Sequence, residues 1–210
     1  MKYISNQKWV LFVMAFFAVN VALAAPASGS VANPVTYMKS VADNLLVSLQ
    51  QNKANLGNKK LVAHIIYEKI VPYFDVGAMS RLVLGRAFWT KATPAQQVEF
   101  QQQFTKMIVG TYAAAIEKYD DDKINFYPLR GGFDTYRLIS VSSVVERRNG
   151  NKINVSYNLM REGNVWRIYD FNIEGISMVS SYRSQFNNVL YQAGVGALID
   201  QLKAHNQAAS

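Results

Sequence analysis

The chain has 210 residues, half of them apolar and only 17% charged, a composition that fits one compact domain with a real core and excludes a disordered chain. It contains no cysteine, which removes disulfides, a lipid anchor on an N-terminal Cys, thiol nucleophiles and thiolate metal sites. The formal net charge of +8 suits an anionic membrane surface or an acidic partner; its Lys and Arg are scattered, and with the export signal described next this argues against nucleic acid.

Lys2 and Lys8 open the chain, Trp9 to Val21 form an apolar run broken at Asn20, and Ala22-Leu23-Ala24 places small residues where a signal peptidase reads them. The expectation is a secretory leader over residues 1–24, cut after Ala24, and a periplasmic location. The alternative, an uncleaved anchor, is disfavoured because the run falls short of the ~20 apolar residues a span needs.

Asn33-Pro34 reads as an N-cap with Pro at the first helical position, followed by Val35, Met38, Val41, Ala42, Leu45, Leu46 and Leu49 at helical spacing to about Gln50. Asn58 caps a second helix with Leu61, Val62, Ile65, Ile66 and Ile70 on one face, stopped at Pro72. A third runs from Asp75 to Leu84 and ends at Gly85. Thr93-Pro94-Ala95-Gln96 is a capping box that starts a long helix to about Lys118, with the acidic run Asp120-Asp121-Asp122 as its exit loop.

From Lys123 the period changes to two. Strands are expected over Lys123–Leu129, Tyr136–Glu146, Ile153–Leu159 and Val165–Ile173, with turns at Asn149-Gly150 and Glu162-Gly163; the last three make an antiparallel meander. Closing helices are expected over Ser177–Tyr191 and Val195–Leu202, then a frayed polar tail. The fold class is therefore α+β: a mainly helical part over 25–119, an antiparallel sheet over 120–176 and closing helices over 177–203, in one domain spanning 25–203, with 204–210 as the tail.

Catalytic chemistry is hard to assemble. There are two His: His64, one position off an apolar stripe, and His205 in the tail; with no Cys they give no metal site. Gly131-Gly132 lacks a following Lys-Ser/Thr and a helix, so it forms no phosphate cradle. Asp170, in an otherwise apolar-rich strand, is the acid to watch, either satisfied by Arg or backbone N–H groups or acting as a base. What is plentiful is soft apolar bulk, including Met79, Met107, Met160 and Met178, which serves a solid core or a lipid-lined cavity equally well. From the residues alone the reading is an exported α+β domain that binds a ligand rather than transforming one.

Four stretches carry a resemblance: PYFDVGAMSRLVLGRAFW (Pro72–Trp89), ATPAQQVEFQQQF (Ala92–Phe104), TYAAAIEKY (Thr111–Tyr119) and VWRIYDFNIEGISMVSSYRSQF (Val165–Phe186). Together they resemble the MlaC, or toluene-tolerance Ttg2D, family of periplasmic phospholipid-binding components. The first helix and residues 120–160 are only generically similar. The resemblance implies helices on a curved antiparallel sheet, similar to NTF2-like cones, around a deep apolar pocket. It implies no enzyme activity, no cofactor and no metal, and a monomer whose cargo is a glycerophospholipid. It further implies carriage between an outer-membrane MlaA-like lipoprotein–porin complex and an inner-membrane MlaFEDB-like ABC transporter, preserving outer-membrane lipid asymmetry.

For the acyl tails the expected contacts are Met79, Leu82 and Val83 on the third helix, and Phe104, Met107, Ile108 and Tyr112 on the long helix. Val155, Tyr157, Trp166 and Ile168 are added from the sheet, and Val179 and Tyr182 from the closing helix. Arg81, Arg86 and Arg183 are the head-group candidates, with a structural ion pair as the competing role. The alternative function is an NTF2-like cavity enzyme of the isomerase or hydratase type with Asp170 as its base.

Overall fold

The computed structural model describes residues 31–208; the expected leader and its cleavage point at Ala24 lie outside the described residues. Helices α1 (Pro34–Gln51), α2 (Lys59–Lys69), α3 (Val76–Trp89) and α4 (Pro94–Ile116) come first. Strands β1 (Lys123–Phe126), β2 (Leu138–Glu146), β3 (Lys152–Glu162), β4 (Val165–Ile173) and β5 (Ile176–Ser177) follow, and α5 (Met178–Ala208) closes the chain.

The helix starts follow from their caps. Asn33 Oδ1 accepts from the Val35 and Thr36 amides, Asn58 Oδ1 from those of Lys60 and Leu61, and Asp75 Oδ1 from Ala78 N at 2.7 Å. Thr93 and Gln96 form the complete capping box at α4.

Two helix ends depart from expectation. Gly85 does not end α3; with φ 71° it breaks the helix and the chain resumes helical geometry to Trp89. Gly194, φ 80°, breaks α5 in the same way, so the two closing helices are one kinked element. Only Gly takes such angles without strain, which is why the sequence signal for a stop is real while the element continues. The segment expected to fray is helical to Ala208: Leu202 and Asn206 are buried, and Asn206 Nδ2 donates to the Gln103 carbonyl at 2.9 Å.

The five strands form one antiparallel sheet in the order β1-β2-β3-β4-β5. Strand β1 ends before Pro128, which has no N–H to continue a ladder. Strand β5, two residues long, is too short to show alternation and was not expected. The register of β3 on β4 shifts at Asn158/Leu159, so the strands bend there and the inward-facing parity changes.

Three apolar clusters surround the sheet's inner face. The largest joins α3, α4 and α5 through Val83, Phe100, Phe104, Phe186, Leu198 and their neighbours. A second joins α1, α2 and α4 around Val62, Ile65 and Val109. The third packs Met38 of α1 on Val141, Leu159, Trp166 and Ile168 at one end of the sheet.

Candidate ligand cavity

Between these clusters an unfilled space borders part of the sheet's inner face. Its rungs are fixed by register: Ile124, Val145 and Ile153; then Phe126, Ser143, Val155 and Ile173; then Val141, Tyr157 and Phe171. From Ile153 to Leu159 along β3 the face extends roughly 20 Å at ~3.3 Å per residue. Above it lie Met38, Val41, Ala42 and Leu45 of α1, Ile66 of α2, Met79 of α3, and Phe104, Ile108, Tyr112 and Ile116 of α4.

The space enclosed is about 440 Å³, within the about 300–1,000 Å³ usual for ligand sites. Its lining is aliphatic and aromatic apart from Thr105, the hydroxyls of Tyr112 and Tyr157, and Arg147. One end is deeply buried, closed by Met38, Met79, Phe104 and Ile168. At the other, the last turn of α4 and the tips of β1–β3 bring exposed Ala115 and part-exposed Ile116, Ile124, Val145 and Arg147 to the surface. Burial pushes the phenol of Tyr112 well above the ordinary tyrosine range, with Tyr182 adding to it. Desolvation raises Tyr157 likewise, partly offset by the Ser143 hydroxyl. Both remain neutral, as an apolar cavity requires.

Of the expected tail contacts, Met79, Phe104, Ile108, Tyr112, Val155, Tyr157 and Ile168 line this space. Val83, Met107, Val179 and Tyr182 sit instead in the α3–α4–α5 core, and Leu82 is exposed. Trp166 is fully buried with its indole N–H donating to the Ala32 carbonyl at 2.8 Å, so it closes the end of the sheet and does not face the cavity. The α1 stripe, read from sequence as one helical face, and Ile124 and Phe126 of the first strand also line the space, although none of them was among the expected tail contacts.

The three expected head-group arginines are elsewhere. Arg81 stacks over Trp89 at 5.9 Å, and Arg86 is exposed. Arg183 Nε and Nη2 both donate to the Leu82 carbonyl. That carbonyl is orphaned because α3 breaks at Gly85, so Arg183 serves the helix end.

Asp170 also lies outside the cavity. It is buried and accepts from Ser177 Oγ at 2.7 Å, Phe171 N at 2.8 Å and Val179 N at 3.1 Å, joining β4 to the start of α5. Its lone pairs are taken up by structure, so it does not meet the requirements of a cavity base. Exposed His64 pairs with Glu68 at 3.3 Å one turn away. Among the described residues no group of three or more His, Asp or Glu is placed to hold a metal, and no helix is long and apolar enough to cross a membrane.

The family model for "MlaC protein" matches residues 39–204. The chain belongs to the MlaC family. An intermembrane phospholipid transport system binding protein MlaC from Haemophilus influenzae is 25% identical over 208 residues, 97% of this chain and 95% of that protein. The toluene tolerance protein ttg2D of Pseudomonas putida is 25% identical over 162 residues, 77% of this chain and 74% of that protein. Among solved structures, a phospholipid-binding protein from Ralstonia solanacearum, in complex with a phospholipid, superposes with a TM-score of 0.78 at 29% identity, over 85% of this chain and 99% of its own. The α+β architecture is thus that of an MlaC-type fold, and the Haemophilus influenzae and Ralstonia solanacearum relatives are named for phospholipid transport and phospholipid binding rather than for an enzyme activity.

Proposed function

We propose that this MlaC-family chain is a periplasmic carrier that holds a glycerophospholipid with its acyl tails in the cavity and moves it between membrane-bound partners. The observation that carries this reading is the unfilled, aliphatic and aromatic space of about 440 Å³ between sheet and helices, closed at one end and reaching the surface at the other. Among the described residues no catalytic constellation lines it, and Asp170 is engaged elsewhere. The relatives' names and the phospholipid-bound Ralstonia solanacearum structure support the choice of cargo.

The energetics call for such a carrier. Each methylene moved out of water is worth roughly 0.8 kcal/mol, so two long tails amount to tens of kcal/mol and free monomers do not cross an aqueous gap. A carrier must cover the tails and leave the head near water, which a cavity open at one end does. Release then needs an acceptor that opens the cavity or offers a competing apolar site. An outer-membrane lipoprotein–porin complex and an inner-membrane ABC transporter fit those two roles, and the N-terminal leader expected from the sequence supplies the route to the compartment between them.

Native mass spectrometry of the protein purified from a bacterial periplasm tests this directly. The expected spectrum shows the chain lacking residues 1–24 with the added mass of phospholipid, lost on denaturation. A spectrum of protein alone, with no lipid in an organic extract of the same sample, overturns the carrier reading.

A further inference from the structure

We infer that Arg147 is the contact for the lipid's anionic phosphodiester, a role that rests on the carrier reading and assigns the rim of the same cavity. Arg147 is the sole charged side chain among the described residues that line the cavity. It follows the last residue of β2 and stands one step beyond the rung of Ile124, Val145 and Ile153, where the lining reaches the surface. Its own side chain is 24% exposed.

The guanidinium is only loosely engaged. Arg147 Nη1 lies 3.5 Å from the Lys118 carbonyl and 3.9 Å from Asp122 Oδ2, both at the outer edge of useful geometry. On the neighbouring turns Asp120, Asp121 and Glu146 are taken by other cations, while Glu117 Oε1 is buried without a hydrogen-bond partner. Lys53 holds Asp120 at 3.1 Å and Asp121 at 2.6 Å, Arg148 reaches Asp120 at 3.3 Å, and Lys152 holds Glu146 at 2.9 Å. A planar fork of N–H donors is therefore held with donors to spare, and a phosphodiester's two free oxygens match it. The position is the one at which a lipid inserted tails-first changes from hydrocarbon to phosphate. Because the contact is to the phosphate, it accepts glycerophospholipids whatever group the phosphate bears, and it discriminates against neutral lipids with the same tails.

The test uses delipidated full-length mature protein and two fluorescent-tailed probes with identical acyl chains, phosphatidylglycerol and diacylglycerol. The wild type is expected to prefer phosphatidylglycerol by on the order of tenfold, the scale of hydrogen bonds to a charged group at a part-exposed site. Arg147→Gln is expected to remove that preference while leaving diacylglycerol affinity unchanged, and Arg147→Lys to retain part of it. An unchanged preference in Arg147→Gln, or an equal loss for both probes, overturns the assignment. Millimolar inorganic phosphate is expected to leave phosphatidylglycerol binding unaltered; displacement that depends on Arg147 would make this a free-anion site and overturn the lipid assignment. Tight diacylglycerol binding with no phosphate preference in the wild type sinks the Arg147 role alone, whereas a wild type that binds neither probe sinks the carrier reading with it.

Discussion

Val155 gives the sharpest separation between a cavity and a core. It sits mid-sheet between Ser143 and Ile173, and its side chain faces the space. Replacing it with Trp puts an indole where hydrocarbon is expected to lie. If the ring displaces about four methylenes at ~0.8 kcal/mol each, binding weakens by about 3 kcal/mol, or roughly 200-fold. In a filled core the same change would overpack and cost about 1–3 kcal/mol of folding stability. Here the ring enters vacant room, so the delipidated Val155→Trp protein is expected to unfold within about 1 kcal/mol of the delipidated wild type. Co-purified lipid is measured by mass spectrometry, and stability by urea unfolding. Full lipid loading with wild-type affinity, or a large loss of stability in the delipidated variant, refutes the reasoning.

Asp170→Ala strips acceptors from Ser177 Oγ, the part-buried Phe171 amide and the buried Val179 amide and is expected to cost about 2–4 kcal/mol in urea unfolding, while lipid loading of the folded fraction persists; a neutral effect on stability would contradict the structural role. Thr93→Ala removes the capping box of α4 and is expected to lower stability by about 1 kcal/mol, with no change in thermal midpoint as the contrary result. The raised phenols of Tyr112, Tyr157 and Tyr182 hold their protons in the folded state above the pH at which the unfolded chain gives them up. Their contribution is complete below the ordinary tyrosine pKa of about 10 and falls as pH rises past it. Absorbance titration should therefore show a tyrosine fraction that ionises only together with loss of near-ultraviolet circular dichroism; reversible ionisation of every tyrosine near pH 10 in a native spectrum would contradict this.

Elements were easier to read than neighbours. The capping box at Thr93, the Asn149-Gly150 turn and the stop signal at Gly85 are local, so each has a sequence signature even where the helix resumes beyond it. What surrounds a side chain is not local, and α4 shows why. Val109 and Ala113 pack toward α1 and α2, Phe100 and Met107 toward α5, and Ile108, Tyr112 and Ile116 toward the cavity. A helix with apolar neighbours on three sides displays apolar residues on three sides, and its periodicity does not say which side is left unfilled. Met107 and Ile108 are adjacent in sequence and both touch the α3–α4–α5 core, yet only Ile108 also lines the cavity. Val98, in the first turns of the same helix, is 53% exposed. The arginines were harder still: Arg183 lies in a family-like stretch yet donates to the Leu82 carbonyl of a broken helix, whereas Arg147 lies in a stretch of only generic resemblance.

A large apolar cavity in a chain without disulfides has to be compatible with folding, and the distribution of the clusters explains how. Tightly packed groups bind α3 to α4 and α5, α1 to α2 and α4, and Met38 to the far end of the sheet. Each spans elements that frame the cavity, so the frame is rigid before anything occupies it. Part of the sheet's inner face can then stay uncovered, because its strands are also fixed by ladder hydrogen bonds and by the Asp170 junction to α5. A hydrocarbon ligand entering that space adds contacts the folded chain lacks and binds only the folded state, so stability should rise with ligand as RT ln(1 + [L]/Kd). The same separation lets cargo leave without unfolding the protein, since none of the three clusters requires the cavity to be full.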